Sequence, residues 1–345
     1  MKKLFLFLFT FIFFIIIGSS QEKKYKALCI AFYNLENLFD TVDDPNKNDA
    51  EYLPDGKNNW NSKRYQAKLD NMSKVISEIG NDIQAKGPVI LGVSEVENIK
   101  VLEDLVATPL LAPLNYGVVL MEGPDLRGVD VGLIYQKSSF KVTSTRSVRL
   151  TIPDKPDFHT RDQLVVSGEL DGEPVHIIVN HWPSRSGGEK RSAPLRNAAA
   201  DLCRSTADSI LKTDPNAKIL IMGDLNDDPT NVSLTEHLKA KGDEKETKPG
   251  DLFDPMYKMF KTEGIGSLAY KDNWNLFDQI VISQPLLLED KSSYRFLKAK
   301  VFNKNYLVQK EGAFTGYPFR TYVGNTYQGG FSDHFPVYVI LVKEK

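Results

Sequence analysis

The chain has 345 residues, with 43 Lys and Arg against 45 Asp and Glu, five His and a formal net charge of −2. That balance is not the bulk composition of a nucleic-acid-binding protein, although it leaves room for a local basic patch. With only two Cys and no Cys–His cluster, a disulfide framework and a structural zinc site are both excluded.

The first residues, "MKKLFLFLFTFIFFIIIGSSQE", place Lys2 and Lys3 before an apolar run from Leu4 to Ile17, followed by Gly18, Ser19 and Ser20. This is a charged region, an apolar region and a small-residue cleavage zone, so residues 1–20 read as a secretory signal peptide. The run is short for a spanning helix. No stable membrane anchoring is expected after cleavage, and the mature protein is expected to be secreted or periplasmic. Residues 21–345 read as one domain, because no linker interrupts them.

The elements then follow in order. "ALCIAFY" (27–33) is apolar and β-prone. In "KRYQAKLDNMSKVISEIGNDI", Leu69, Met72, Val75, Ile76, Ile79 and Ile83 recur at helical spacing. "PVILGVSE" is a buried strand, "NIKVLEDLV" a short helix, and "YGVVLM" and "VDVGLIY" are strands. "QLVVSGEL", Asp171-Gly172 and "PVHIIVNH" spell a hairpin. A long helix spans 189–213, with a break expected at Pro194. "KILIMGD", "DQIVIS" and "FPVYVILV" are further strands, and 239–248 is a charged loop. Cys29 lies in an apolar strand and Cys203 on an amphipathic helix, so they read as two buried thiols rather than a bridge. Strands intermixed with helices indicate an α/β layered fold.

Polar residues collect at the ends of these strands: Asn34, Glu95, His181, Asp224 with Asn226, Asp278, and Asp333 with His334. A carboxylate at one strand end is ordinarily a turn or cap residue. Six ends carrying acids, amides and imidazoles form a pattern, because α/β proteins place their sites where strand ends meet. Glu95, Asp333 and Asn34 offer hard oxygen ligands suited to Mg2+, Mn2+ or Ca2+. The chain has no G-x-S-x-G nucleophile turn and no P-loop. Two histidines beside a metal suit the attack of water on a phosphate ester.

The segments "FYNLEN", "GVSEVEN", "RGVDVGLIY", "VNHWPSRSGG", "MGDLNDDP", "LFDQIVIS" and "FSDHFPV" resemble, in order, the motifs of the endonuclease/exonuclease/phosphatase superfamily. The resemblance runs from residue 34 to residue 336. It implies a four-layer α/β/β/α sandwich of two mixed β-sheets packed face to face with helices outside. It further implies that Glu95 is the principal metal carboxylate, assisted by Asn34 and Asp333. Asp224 positions or deprotonates the water, Asn226 contacts the phosphate, and His334 faces the phosphate and is oriented by Asp278. His181 is the second imidazole, on the leaving-group side, and Asp130 the carboxylate that holds it; a plain edge-strand charge is the equal alternative for Asp130.

Arg185, Arg161 and Arg127 are the candidate phosphate contacts, with Lys190, Arg191 and Arg196 extending a cationic track unless they are a solvated helix face. Tyr270 and Trp274 either stack on a base or sugar or pack. Exposed apolar hairpins, which a lipid-hydrolysing enzyme would use, are not seen after the signal. The expected activity is therefore a secreted nuclease acting on a nucleic acid substrate. The alternatives are a phosphodiesterase or phosphatase acting on phospholipid head groups or small phosphate esters, and a non-catalytic phosphate-binding module. No obligate protein partner is indicated.

Overall fold

The computed structural model describes residues 24–345; the signal-peptide reading of 1–20 lies outside them. In chain order the elements are β1 (Tyr25–Leu38), α1 (Ser62–Glu78), β2 (Ile90–Val96), α2 (Ile99–Val106), β3 (Tyr116–Leu120), β4 (Asp130–Gln136), β5 (Phe140–Val148), β6 (Gln163–Leu170) and β7 (Glu173–His181). There follow α3 (Glu189–Thr213), β8 (Lys218–Asp224), the short β9 (Ala240–Lys241) and β10 (Leu252–Phe253), and α4 (Met256–Lys261). The chain closes with β11 (Leu268–Tyr270), β12 (Asn273–Asn275), β13 (Asp278–Ser283), β14 (Arg295–Val301), β15 (Tyr322–Val323), β16 (Thr326–Tyr327) and β17 (Val337–Glu344).

Two mixed sheets result. One has the order β14-β17-β1-β2-β4-β3, the other β5-β6-β7-β8-β13-β10-β9. Period-2 alternation decides the layers. Along β1, Leu28, Ile30 and Phe32 face the opposite sheet, where they meet Val166, Ile177, Val179, Leu220 and Ile280. The intervening Cys29, Ala31 and Tyr33 face α1 and α2 through Leu69, Met72, Val75 and Leu102. On the second sheet, Ile178, Ile219, Ile221 and Val281 pack outward on Ala199, Ala200, Cys203 and Ala207 of α3. Both faces of the central strands are thus buried, which is why they read as unbroken apolar runs. The expected four-layer sandwich is the observed one. Cys29 and Cys203 lie in the two separate sheet–helix cores, both free and buried.

The sheets approach closely at Gly92, where an added Cβ would stand 2.5 Å from Met222 Sδ. An Ala there would overpack the interior, typically at a cost of about 1–3 kcal/mol.

Two local expectations are corrected. α3 runs unbroken through Pro194. Pro194 lies in the second turn, so it forfeits a single hydrogen bond near the helix start, while the buried Ala199, Ala200, Cys203 and Ala207 hold the rest against the sheet. α1 stops at Glu78, one residue ahead of Ile79 and Gly80, whose φ of 87° ends it, and Ile83 falls in a separate turn.

Candidate active site

Strand register brings the polar strand ends into two facing rows. In the second sheet, β7 runs parallel to β8 with His181 opposite Asp224, and antiparallel β13 puts Asp278 opposite the same Asp224. In the first sheet, Asn34 pairs with Ser94, and the register slips between Ser94 and Val96. That irregularity places Glu95 at φ 57° and re-aims its side chain, as β-bulges near active sites do. Glu36, Asn37 and Asn226, at φ 48°, 54° and 51°, are further non-glycine residues in the left-handed region here. Such conformations are strained and persist where surrounding structure enforces them.

Asp224 is the centre. Its Oδ2 accepts from Asn34 Nδ2 at 3.1 Å and its Oδ1 from the Asn226 N–H at 3.0 Å. His181 Nε2 lies 3.6 Å and His334 Nε2 3.9 Å from Oδ2. His181 Nε2 is also 3.9 Å from Glu95 Oε1, and His334 Nε2 is 3.9 Å from Asp333 Oδ1. Glu95 Oε2 accepts from the Asn37 N–H at 3.1 Å. The His334 ring is fixed from behind by a 2.7 Å bond from Nδ1 to Asp278 Oδ2, which also accepts from Ser267 Oγ. The backbone beneath is pinned as well: Ser332 Oγ donates to Asn34 O at 2.7 Å and accepts from the His334 N–H at 3.1 Å.

The two imidazoles are driven in opposite directions. Burial works against charge on His334, but Asp278, Asp333 and Asp224 outweigh it and hold its imidazolium well above the usual range. His181 is held well below that range by burial, with Arg161, Arg127 and His334 adding repulsion. Burial also pushes the Asp224 carboxyl up to about 7, with Asp278 and Glu95 adding to the rise and His334 opposing it.

Several expected roles change. Asp130 does not hold His181: its Oδ1 accepts from the Gly123 N–H at 2.9 Å, while His181 Nδ1 has no hydrogen-bond partner among the described residues. Asn34 turns its amide nitrogen to Asp224 and its oxygen to the Glu36 N–H, so it positions Asp224 rather than facing an ion. Arg185 is no free phosphate clamp. Its Nε donates to Asn226 O, and its Nη2 bonds Asp227 Oδ1, Asp228 Oδ2 and Asn231 Oδ1 at 3.1–3.3 Å. With its guanidinium 4.4 Å from the Phe277 ring centroid, it braces the Asp224–Asn226 loop.

Arg161 is buried, bonded to Asp125 at 3.3 Å and to Trp182 O at 2.6 Å, so it is a fixed charge beside His181 rather than a surface contact. Arg196 leaves the cationic track altogether, fully buried with Nε 2.7 Å from Asp227 Oδ1. Lys190 and Arg191 stay exposed on the helix. Arg127 keeps an exposed guanidinium, 3.7 Å from Asp125. Asn226 turns its side-chain amide to Trp182 O at 3.0 Å. Trp274 packs on Phe335, with ring centroids 6.0 Å apart, whereas Tyr270 is exposed.

Sequence reasoning missed Lys68. It is 1 % exposed, and its Nζ bonds Thr321 Oγ1 at 2.7 Å and Phe331 O at 2.5 Å, with Glu36 Oε2 at 3.6 Å. It ties α1 to the end of β1 and to the loop that carries Asp333 and His334. Its helical position marks it as one of the residues facing the sheet, which is the one signal the sequence held.

The donor set fits an oxygen-preferring divalent ion. Glu95 and Asp333 both keep partly open carboxylates at the centre, and buried acids outnumber the cations available to balance them. Among the described residues, Asp224, Asp278 and His334 also stand close enough together to share an ion. The bond between Asp278 and His334 Nδ1 already commits that pair to each other, whereas Glu95 and Asp333 keep the more open carboxylates, beside His181 and His334 respectively.

Strand ends that gather acids, amides and two histidines between face-to-face sheets define a hydrolase of phosphoric esters. The family model of the endonuclease/exonuclease/phosphatase family matches residues 29–343, and the chain belongs to that family. No curated protein matches it. Among solved structures, a family member from Bacteroides thetaiotaomicron is 18% identical, with 93% of this chain and 97% of that one covered at a TM-score of 0.55. A mannosyl-6-phosphatase of the same organism is 17% identical, covering 91% and 99% at 0.54. D. rerio TDP2, complexed with a single-strand DNA product, is 12% identical, covering 91% and 98% at 0.53. At these identities the likeness is one of fold.

Proposed function

We propose that the protein is an exported, divalent-metal-dependent phosphodiesterase that hydrolyses nucleic acid. The observation that supports a diester over a monoester is a cleft beside the catalytic cluster that is far larger than a phosphate. Asp333 forms part of the wall of a cleft of about 700 Å3 that includes Arg185, Tyr270, Phe277 and Arg320. Asn37, whose N–H holds Glu95, lines a second opening of about 180 Å3 with Tyr52, Trp60 and Tyr322. A phosphate at the cluster has room beside it, in the larger cleft, for a substituent of nucleotide size. An aromatic surface beside charge is what single-stranded nucleic acid uses, and the TDP2 complex is a protein of this fold with DNA product bound.

Glu95 and Asp333 would hold the ion, Mg2+ or Mn2+, which supplies Lewis-acid polarisation of a phosphoryl oxygen. Asp224, poised near neutrality and steadied by Asn34 and the Asn226 N–H, takes the proton of the attacking water. His334, charged and fixed by Asp278, balances the charge that develops on the phosphoryl oxygens. His181, neutral in the free protein, hydrogen-bonds the ester through Nε2, and Arg127 lies near enough to add charge there. Export rests on the residue 1–20 pattern.

A phosphatase acting on small sugar phosphates is the second reading, favoured by the smaller opening, where aromatic rings stand beside Glu51, Asn58 and Asn325. A substrate panel with Mg2+, Mn2+ and Ca2+ decides: plasmid, single-stranded DNA, RNA, sphingomyelin, inositol phosphates and mannose 6-phosphate. Cleavage of DNA or RNA upholds the nuclease, and turnover of the monoesters alone replaces it with the second reading.

A further inference from the structure

The arginines bordering the site are nearly all spent on the protein. Arg185 is bound to Asp227 and Asp228, Arg161 and Arg127 to Asp125, and Arg196 to Asp227. Arg320 is the exception on the cleft wall. Among the described residues it has no carboxylate partner, its Nε is buried without a hydrogen-bond partner, and its guanidinium carbon lies 5.5 Å from the Phe314 ring centroid. An arginine fork held against an aromatic ring and left unpaired is pre-organised for a planar pair of anionic oxygens.

Tyr270, 64% exposed, lines the same cleft. It ends β11 at a two-residue turn in which Lys271 and Asp272 take φ of 49° and 60°. Both central residues with positive φ make a tight hairpin turn, here built without the glycine that would relieve it. The turn is tethered: the Asp272 N–H donates to Tyr317 Oη at 2.6 Å, and Tyr317 Oη donates to Asp272 Oδ1 at 2.7 Å. Lys271 Nζ lies 5.2 Å from the Tyr270 ring centroid. An exposed ring on a tethered turn and an unpaired cation line one cleft, together with Asp333 of the catalytic cluster. About 700 Å3 is far more than a lone phosphate fills and is within the range of sites for ligands of nucleotide size.

We infer that this cleft is a subsite for the nucleotide next to the scissile bond, with its ring system on Tyr270 and its own phosphate on Arg320. The inference rests on the nuclease reading and adds to it that the preferred substrate carries a second phosphate one nucleotide away from the bond that breaks.

The test compares kcat/KM for the wild type, Arg320→Ala, Arg320→Lys and Tyr270→Ala. The substrates are bis(p-nitrophenyl) phosphate, a dinucleoside monophosphate, and the same dinucleotide with a terminal phosphate at either end. For the wild type, a terminal phosphate at one end should raise kcat/KM about tenfold, the scale of one charge-assisted hydrogen bond. Arg320→Ala should abolish that gain, and Arg320→Lys should keep part of it. Arg320→Ala should cost the aryl ester far less. Tyr270→Ala should raise KM on the dinucleotides with kcat little altered.

No gain from either terminal phosphate in the wild type would overturn the inference, as would an equal loss for Arg320→Ala on the aryl ester. If no nucleotide is cleaved while the aryl ester is, the nuclease reading fails on its own. The subsite is then decided by inhibition of aryl ester hydrolysis. Stronger inhibition by a nucleoside 3′,5′-bisphosphate than by a nucleoside 5′-monophosphate, equalised in Arg320→Ala, upholds it. Equal inhibition in the wild type refutes it.

Discussion

Replacing Asp278 by Asn separates two readings of the Asp224, Asp278 and His334 group. Asp278 is fully buried; its Oδ2 receives both His334 Nδ1 at 2.7 Å and Ser267 Oγ, and its Oδ1 has no partner among the described residues. An Asn can keep its oxygen at the Oδ2 position and turn its NH2 to the unpartnered side. The shape is conserved and one polar atom was already unsatisfied there, so stability should change by under about 2 kcal/mol. What is lost is the negative charge behind the imidazolium. Hydrogen bonds to charged groups contribute about 1.5–3 kcal/mol, and each 1.36 kcal/mol is tenfold in rate. Asp278→Asn should therefore lower kcat about 10- to 100-fold with KM nearly unchanged.

His334→Ala should cost about 10²- to 10³-fold, as removal of a donor to developing charge does. Because Asp278 acts only through the ring, the double variant should be no slower than His334→Ala alone. The assay is kcat and KM on an aryl phosphodiester for all four proteins, with the Mg2+ concentration dependence of each. Losses that multiply, together with weakened metal binding in Asp278→Asn, would show that Asp278 ligates the ion and would refute its role as orienter.

Lys68→Met should lower unfolding stability by about 3–5 kcal/mol in urea titrations, the usual cost of breaking a buried pair. Adding Glu36→Gln should recover much of that loss, and a single variant within 1 kcal/mol of wild type would disprove the clamp. Asp254 offers a pH test away from the site: its Oδ2 is buried without a partner, and burial raises its carboxyl from 3.8 to about 7. The folded state thus holds a proton that the unfolded chain releases above about pH 4. Stability from this group is retained below that pH, falls as pH rises toward 7, and then levels off. Asp254→Asn should match wild type at pH 4 and exceed it by up to about 4 kcal/mol at pH 8; a constant difference across that range would exclude Asp254 as the cause. Export predicts that the native protein begins near Gln21, and N-terminal sequencing that returned Met1 would rule cleavage out.

The central strands were readable because both their faces are buried. The Asp171-Gly172 turn was readable because the structure gives both residues positive φ. β5 and β14 are not legible: they are edge strands whose side chains are mostly exposed in β5 and mostly half-buried in β14, so their sequences carry no clear apolar period. The β11–β12 turn escaped because Lys271-Asp272 is not a usual turn pair.

At the site, the catalytic types were visible at strand ends, since position along a strand is a local property. Pairing is not. Arg185, Arg161 and Arg196 look like surface cations until Asp227, Asp228 and Asp125 are folded against them. The family resemblance placed Asp130 behind His181, but the Gly123 N–H takes that carboxylate instead. Nothing local marks Arg320, and only the fold shows that no acid among the described residues pairs with it and that its Nε is buried without a partner.

The most direct measurement is cleavage of a single-stranded oligonucleotide by the wild type and by Asp224→Asn, with Mg2+ and after chelation. The wild type should cleave it only with the metal present, and Asp224→Asn should lose about 10²- to 10⁴-fold, the range of general-base assistance. Undiminished cleavage in chelator, or an Asp224→Asn variant as fast as the wild type, would contradict hydrolysis at this cluster.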